Sequence, residues 1–214
     1  MFENISVFLM VELLGIIAFA LSGAMVAIRK NLDLLGIVVL GVITAVGGGM
    51  IRDILIGINP PTLFVKPVYV TAAFFAVLAL FLIIKFGGIT IKMLESEGYE
   101  SIMNLFDAIG LGAFTVVGID TAIAAGFKQY TFLIIFLGVI TGVGGGLLRD
   151  IMADVTPAVL KKHIYACASI AGAVCYVLLL NVVGDGARLV ISASLVVVIR
   201  LLARKYKWNL PKAM

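Results

Sequence analysis

Apolar and polar positions divide the chain into seven long hydrophobic segments separated by short polar breaks. They lie near 5–28, 34–57, 67–85, 101–126, 131–153, 163–183 and 187–205. Each approaches the roughly 20 apolar residues that a helix needs to span a bilayer. Asn31 and Asp33 mark the first turn, and Pro60, Pro61 and Pro67 break the chain between the second and third segments. The stretch from Lys85 to Glu100, with Glu95 and Glu97, is the longest polar linker, and Pro157 ends the fifth segment. The pattern predicts an all-α membrane protein with seven transmembrane helices and one transmembrane domain over 1–214.

The segments repeat. Gly41-Val-Ile-Thr-Ala-Val-Gly-Gly-Gly-Met-Ile-Arg-Asp-Ile54 returns as Gly138-Val-Ile-Thr-Gly-Val-Gly-Gly-Gly-Leu-Leu-Arg-Asp-Ile151 at an offset of 97. Upstream, an offset of 95 pairs Glu12 with Asp107, Gly15 with Gly110, Ala18-Phe19 with Ala113-Phe114, and Gly23 with Gly118. The unit is therefore three helices, used at about 5–85 and about 101–183, with an appended helix at about 187–205. Three crossings per unit is odd, so the second unit enters the membrane from the opposite side. The expected architecture is an inverted repeat, which places sites near the midplane at the repeat interface.

Composition fits this picture. Hydrophobic residues make up 63% of the chain and charged residues 13%, against about 25% charged in a soluble domain. Mean hydropathy is +1.21. The net charge of +4 is read as topology, and no nucleic-acid partner is expected. Eleven basic residues fall on one side (Arg29, Lys30, Lys85, Lys92, Lys161, Lys162, Arg200, Arg204, Lys205, Lys207, Lys212) and three on the other (Lys66, Lys128, Arg188). The positive-inside rule puts the first group in the cytoplasm, with the C-terminus, and the N-terminus outside. Glu3 and Glu12 without a basic n-region argue against a cleaved signal peptide. Cys167 and Cys175, two helical turns apart, read as small core or lipid-facing residues. His163, beside Lys161 and Lys162, reads as interfacial.

Candidate chemistry lies in the repeated run. Gly41, Thr44, Gly48 and Arg52 share one helical stripe, as do Gly138, Thr141, Gly145 and Arg149. Such a face suits a protein interior or a wet cavity. Glycine costs a helix roughly 1 kcal/mol relative to alanine, and an arginine at the bilayer centre about 2.5–3.5 kcal/mol. Both costs recur at matched sites. The triplets Gly47-Gly48-Gly49 and Gly144-Gly145-Gly146 are expected to kink or locally unwind their helices, with Thr44 and Thr141 on the ion pathway. Backbone carbonyls freed near Gly48 and Gly145 are the candidate site for a monovalent cation. Close helix packing is the competing reading of the glycines. It does not account for Arg52 and Arg149, which are expected to pair with acids. Glu12 is favoured over Asp53 for Arg52, and Asp107 over Asp150 for Arg149, because adjacent residues point about 100° apart on a helix. A packing clamp and a permeation-linked gate both fit these clusters. Asp120 fits an interfacial anchor or a pore residue equally. The chain carries no nucleophile–histidine pairing, metal-ligand cluster or phosphate loop in a strand–helix context, so no enzyme and no cofactor is expected.

These residues resemble the prokaryotic TRIC-type (trimeric intracellular cation channel) family, some of whose members carry the description glycine transporter. The resemblance spans about residues 5–205. It rests on the two Gly-Gly-Gly-x-x-Arg-Asp runs at 47–53 and 144–150, on Ala18-Phe19-Ala-Leu-Ser-Gly23, and on Gly110-Leu-Gly-Ala-Phe114. It implies a homotrimer embedded in membrane lipid, with a pore inside each protomer, lined by helices bent at their glycines and permeable to K⁺ and Na⁺. It implies a prokaryotic inner membrane as the location. Animal members carry a Lys-Glu-Val run at the bend, linked to lipid binding. Gly-Gly-Gly stands there in this chain, so phosphoinositide regulation is not carried over. A secondary transporter of a small amino acid such as glycine is the alternative, since inverted repeats with broken helices are at home in transporters.

Overall fold

The computed structural model describes residues 2–87, 91–161 and 164–208. Lys162, His163 and Lys212 lie outside them. The described residues form helices α1 (Phe2–Arg29), α2 (Leu34–Leu55), α3 (Thr62–Val65), α4 (Val68–Phe86), α5 (Ile91–Leu94), α6 (Glu97–Ala122), α7 (Thr131–Met152), α8 (Ala158–Lys161), α9 (Ile164–Leu178) and α10 (Asp185–Lys205). A π-helical turn, Ile123–Phe127, extends α6 and ends where Gly126 adopts φ 92°, a conformation open to glycine at little cost. No strand occurs among the described residues.

Side-chain caps set two of the helix starts. The Asp33 carboxylate accepts the Gly36 N–H at 2.7 Å at the start of α2. The Ser96 hydroxyl accepts the Tyr99 N–H at 3.2 Å at the start of α6. Both satisfy amide donors that the helix itself leaves orphaned.

Among the described residues six helices are long and apolar enough to cross a membrane: α1, α2, α4, α6 with its π turn, α7 and α10. The sixth expected span, 163–183, appears as α9, an apolar helix of 15 residues among those described. At 1.5 Å per residue it covers about 22 Å, short of a hydrocarbon core of about 30 Å. Large apolar side chains such as Phe75, Ile83, Phe86 and Phe132 face outward. Water penalises such a surface and lipid does not.

At the centre, α1, α2, α6 and α7 pack through small residues. Helices α1 and α6 run antiparallel: Phe19 sits on Gly110, Ala113 and Phe114 sit on Gly15, and the Phe19 and Phe114 rings are tilted with centroids 5.3 Å apart. Within each half, Gly23 of α1 faces Gly41 and Thr44 of α2, as Gly118 of α6 faces Gly138 and Thr141 of α7. Helices α2 and α7 cross antiparallel at their glycines. A Cβ at Gly48 would overlap the Thr141 carbonyl oxygen, and one at Gly145 would overlap that of Thr44.

This crossing corrects an expectation. Both α2 and α7 stay helical throughout, triplets included, so no local unwinding frees carbonyls near Gly48 or Gly145. The absent side chains serve backbone approach instead, as in close helix pairs within lipid. Helix α4 lies against α1 and α2, with Val77 on Gly41, while α9 and α10 cover α6 and α7, with Val196 on Gly172 and the Ala193 carbonyl on Gly112.

Candidate functional site: two buried arginine–acid clusters

Two charged clusters lie at opposite ends of this four-helix centre. At one end Arg52 closes on its own neighbour: its Nε and Nη2 donate to Asp53 Oδ1 at 2.9 and 2.7 Å. The other Asp53 oxygen accepts the Thr62 N–H at 2.7 Å, tying the end of α2 to the first turn of α3. Glu12 of α1 accepts instead from the Tyr69 hydroxyl of α4. Glu12, Arg52 and Asp53 are all buried.

The second cluster repeats this clamp. Arg149 Nε donates to Asp150 Oδ1 at 2.9 Å, and Asp150 Oδ2 accepts the Ala158 N–H of α8 at 2.7 Å. Here the guanidinium also reaches across. Arg149 Nη1 donates to Asp107 Oδ1 of α6 and to Ser22 Oγ of α1, both at 2.6 Å. The Tyr165 hydroxyl donates to Asp107 Oδ1 at 3.3 Å, and Arg200 of α10 approaches Asp107 Oδ2 at 3.4 Å. Arg200 also lies over the Tyr165 ring, 4.5 Å from its centroid, within cation–π reach.

The expected pairing of Asp107 with Arg149 is present. The expected pairing of Glu12 with Arg52 is not: Arg52 pairs with Asp53, and Glu12 hydrogen-bonds to Tyr69. The 100° between adjacent residues does not separate them, because the arginine stem is long enough to fold back along the helix. The Asp53 carboxylate is already aimed past the helix end toward Thr62, and the guanidinium meets its free edge. Charge-assisted contacts of this kind are stronger than neutral ones, and pairing is what makes a buried guanidinium tolerable.

The remaining candidates are packed. Thr44 and Thr141 are fully buried, and their hydroxyls donate to the carbonyls of Leu40 at 2.6 Å and Leu137 at 2.5 Å. Gly47 faces Leu148, Gly144 faces Gly48 and Ile51, and Gly146 lies under the Tyr165 hydroxyl. Gly49 is the least crowded of the six, with Arg52 Nη2 at 3.7 Å from a notional Cβ. Asp120 accepts from the Tyr176 hydroxyl at 2.6 Å, anchoring the end of α6 to α9. Arg188 stacks over the same ring at 4.8 Å and pairs with Asp185 at 2.7 Å.

Tyr69, Tyr165, Ser22 and Arg200 were absent from the candidates read in the sequence. Tyr69 and Tyr165 are 96 residues apart, between the two repeat offsets, and extending the repeat into the third helix of each unit would have found both. Ser22 and Arg200 reach this cluster from other elements, and their partners are set only by the packing of α1 and α10 on α6 and α7.

Space opens at the Glu12 end of this seam. A cavity of about 380 Å³ is walled by Glu12, Arg52, Thr62, Lys66, Asp120 and Asp185. Past Glu12, Arg52 and Thr62, a narrower one of about 30 Å³ reaches Gly49, Ala45 and Phe114. Gly49, next to Gly48 of the crossing, is part of its wall. Fixed charges at its mouth and small or apolar walls behind suit passage or binding of a small charged solute. Among the described residues no group of histidine, cysteine or acidic side chains is arranged to hold a metal ion.

Known proteins resemble this chain in sequence and in fold. A family model described as glycine transporter matches residues 9–85 and 104–181. The UPF0126 membrane protein YvgT of Bacillus subtilis is 36% identical over 202 residues, covering 94% of both chains. The UPF0126 inner membrane protein YadS of Escherichia coli K12 is 33% identical over 165 residues, 76% of this chain and 74% of that one. Among solved structures, one reported for conductance through TRIC cation channels superposes with a TM-score of 0.80 at 35% identity, covering 96% of each chain. A prokaryotic TRIC channel in 0.5 M KCl gives 0.83 at 30% identity, covering 96% of this chain and 99% of that one. The TRIC trimeric intracellular cation channel orthologue from Rhodobacter sphaeroides gives 0.84 at 29%, covering 95% and 100%. None of these relatives is described as an enzyme. The chain is a helical membrane protein and belongs to the prokaryotic TRIC-type channel family, the family that also carries the description glycine transporter.

Proposed function

We propose that the chain is a monovalent cation channel, permeable to K⁺ and Na⁺, with one pathway inside each protomer of a homotrimer. The observation that carries this is end-to-end likeness to solved TRIC cation channels at 29–35% identity. The cavity that enters past Glu12 and Arg52 supports an internal pathway, with Thr44, Thr141 and the two glycine triplets along its course. In the arrangement described, the Gly48–Gly145 crossing closes that course. Conduction then requires α2 and α7 to separate or bend at the triplets, and a cation to pass the carbonyls so exposed. The two Arg-Asp clamps hold the far ends of the moving helices.

The same reading takes α9 as a seventh crossing and the chain as a single domain of two inverted three-helix units plus α10. The antiparallel packing of α1 on α6 and α2 on α7 supports it, as does recurrence of each clamp at the opposite end. The N-terminus is placed outside and the C-terminus in the cytoplasm, in a prokaryotic inner membrane whose lipid surrounds the trimer. Purified protein reconstituted in a planar bilayer with symmetric KCl should give unitary cation currents. A secondary transporter of a small amino acid is the second reading, favoured by the glycine-transporter description of the matching family. Saturable uptake of labelled glycine without unitary currents would establish that reading and reject the channel.

A further inference from the structure

Four carboxylates are buried among the described residues: Glu12, Asp53, Asp107 and Asp150. Asp53, Asp107 and Asp150 each sit in an ion pair, with Arg52 or Arg149. Glu12 sits in none among the described residues. It is 6% exposed, and its one hydrogen bond comes from the neutral Tyr69 hydroxyl to Oε2. Oε1 has no donor among the described residues. Glu12 lines both the cavity of about 380 Å³ and the narrower one of about 30 Å³ behind it, and so does Thr62. The other charges on the wall are engaged. Arg52 is matched by Asp53, and Asp185 pairs with Arg188. Asp120 accepts from the Tyr176 hydroxyl. The exposed Lys66 ammonium lies over the Tyr69 ring, 5.8 Å from its centroid.

We infer that the Glu12 carboxylate binds a monovalent cation at the junction of the two cavities. A buried carboxylate with no opposite charge in contact is costly, and an intramembrane acid on a water-filled cavity marks an ion pathway. One carboxylate calls for one positive charge. Among the described residues no group of acids is arranged to hold a metal ion, so a divalent cation lacks its ligand set. The Thr62 side chain adds a neutral oxygen on the same wall, and oxygens of this kind replace part of an ion's hydration shell. Asp107, the repeat counterpart of Glu12, cannot take this role, because Arg149 and Arg200 already occupy it. Such a site rests on the pathway proposed above, yet its binding is read without conduction, so the two can fail separately.

The full chain in neutral detergent is unfolded by heat in rising KCl or NaCl, with choline chloride holding the ionic strength constant. K⁺ or Na⁺ should raise the unfolding temperature saturably over choline, as a ligand of the folded state does. Glu12→Gln should lose the saturable rise. Glu12→Asp keeps the charge on a shorter arm and should keep the rise with a midpoint severalfold higher. Glu95→Gln, exposed in the polar linker, should match the wild-type chain. The rise is read within each variant, so a change in the variant's own stability does not enter. No saturable rise in the wild-type chain, or the same rise and midpoint in Glu12→Gln, would overturn the inference. Should Glu12→Gln fail to fold, an unchanged midpoint in Glu12→Asp is equally fatal. So is a protonated-carboxyl infrared band, at neutral pH in K⁺, that either Glu12 variant removes or shifts, since a proton then stands in the cation's place. A saturable rise without unitary currents would keep the site and reject the channel, and currents without the rise would do the reverse.

Discussion

Asp107 accepts from Arg149 at 2.6 Å and lies 3.4 Å from Arg200, whereas Glu12 hydrogen-bonds to a neutral phenol. Two acids at matched repeat positions thus carry different electrostatic loads. Breaking a buried ion pair by removing one partner typically costs 3–5 kcal/mol. Asp107→Asn and Arg149→Gln are therefore each expected to destabilise strongly. Their double variant should lose less than the sum, with a coupling on the order of 1–3 kcal/mol. Glu12→Gln with Arg52→Gln should show a smaller coupling, because Asp53 remains beside the guanidinium. Thermal unfolding in detergent measures both cycles, and equal couplings would contradict the asymmetry. Tyr69→Phe tests the other contact. It strands a buried carboxylate and should cost about 1–3 kcal/mol, an effect that Glu12→Gln made together with it should reduce.

The six glycines of the triplets look alike in sequence and differ in what they touch. Gly48 and Gly145 meet the backbone of the facing helix, and that backbone cannot rotate out of the way as a side chain can. Gly49 meets only the flexible end of Arg52 at 3.7 Å. Gly48→Ala or Gly145→Ala should therefore force α2 and α7 apart, at about 1–3 kcal/mol or more, while Gly49→Ala should be tolerated and even raise helix propensity slightly. The yield and unfolding temperature of each variant after size exclusion decide this, and three equal outcomes would reject a specific crossing. Six of the seven expected spans were legible from apolar length alone, since membrane-buried backbone must satisfy itself within a helix. Unbroken helix through the triplets was not legible. Propensity argues for a break there, and a facing backbone at van der Waals distance outweighs it.

On the scale of the whole molecule, the basic residues predict which end faces the cytoplasm. Cys167 is exposed and Cys175 partly so, so both are first replaced by serine or alanine. A cysteine then placed near Lys66 should be labelled from outside by a membrane-impermeant reagent, and a reporter fused after Met214 should read cytoplasmic. Reversed labelling would exchange the two mouths. Within the bundle, α10 belongs to neither repeat, yet it delivers Arg200 to Asp107 and Arg188 to Tyr176. The appended helix thus adds basic side chains to the clusters of the second unit.

By itself the sequence determined the membrane class, the recurrence of the glycine–arginine–aspartate run, and the burial of Arg52 and Arg149 beside an acid. Each follows from local facts: run length, offset, and the cost of an unpaired charge in lipid. Only the tertiary structure decided that Arg52 turns to Asp53, that Glu12 is held by Tyr69, that Arg200 joins the second cluster, and that the glycines seal a helix crossing. These depend on distances between elements far apart in the chain. Local periodicity sets which face a residue occupies, but not which side chain from another helix is waiting there.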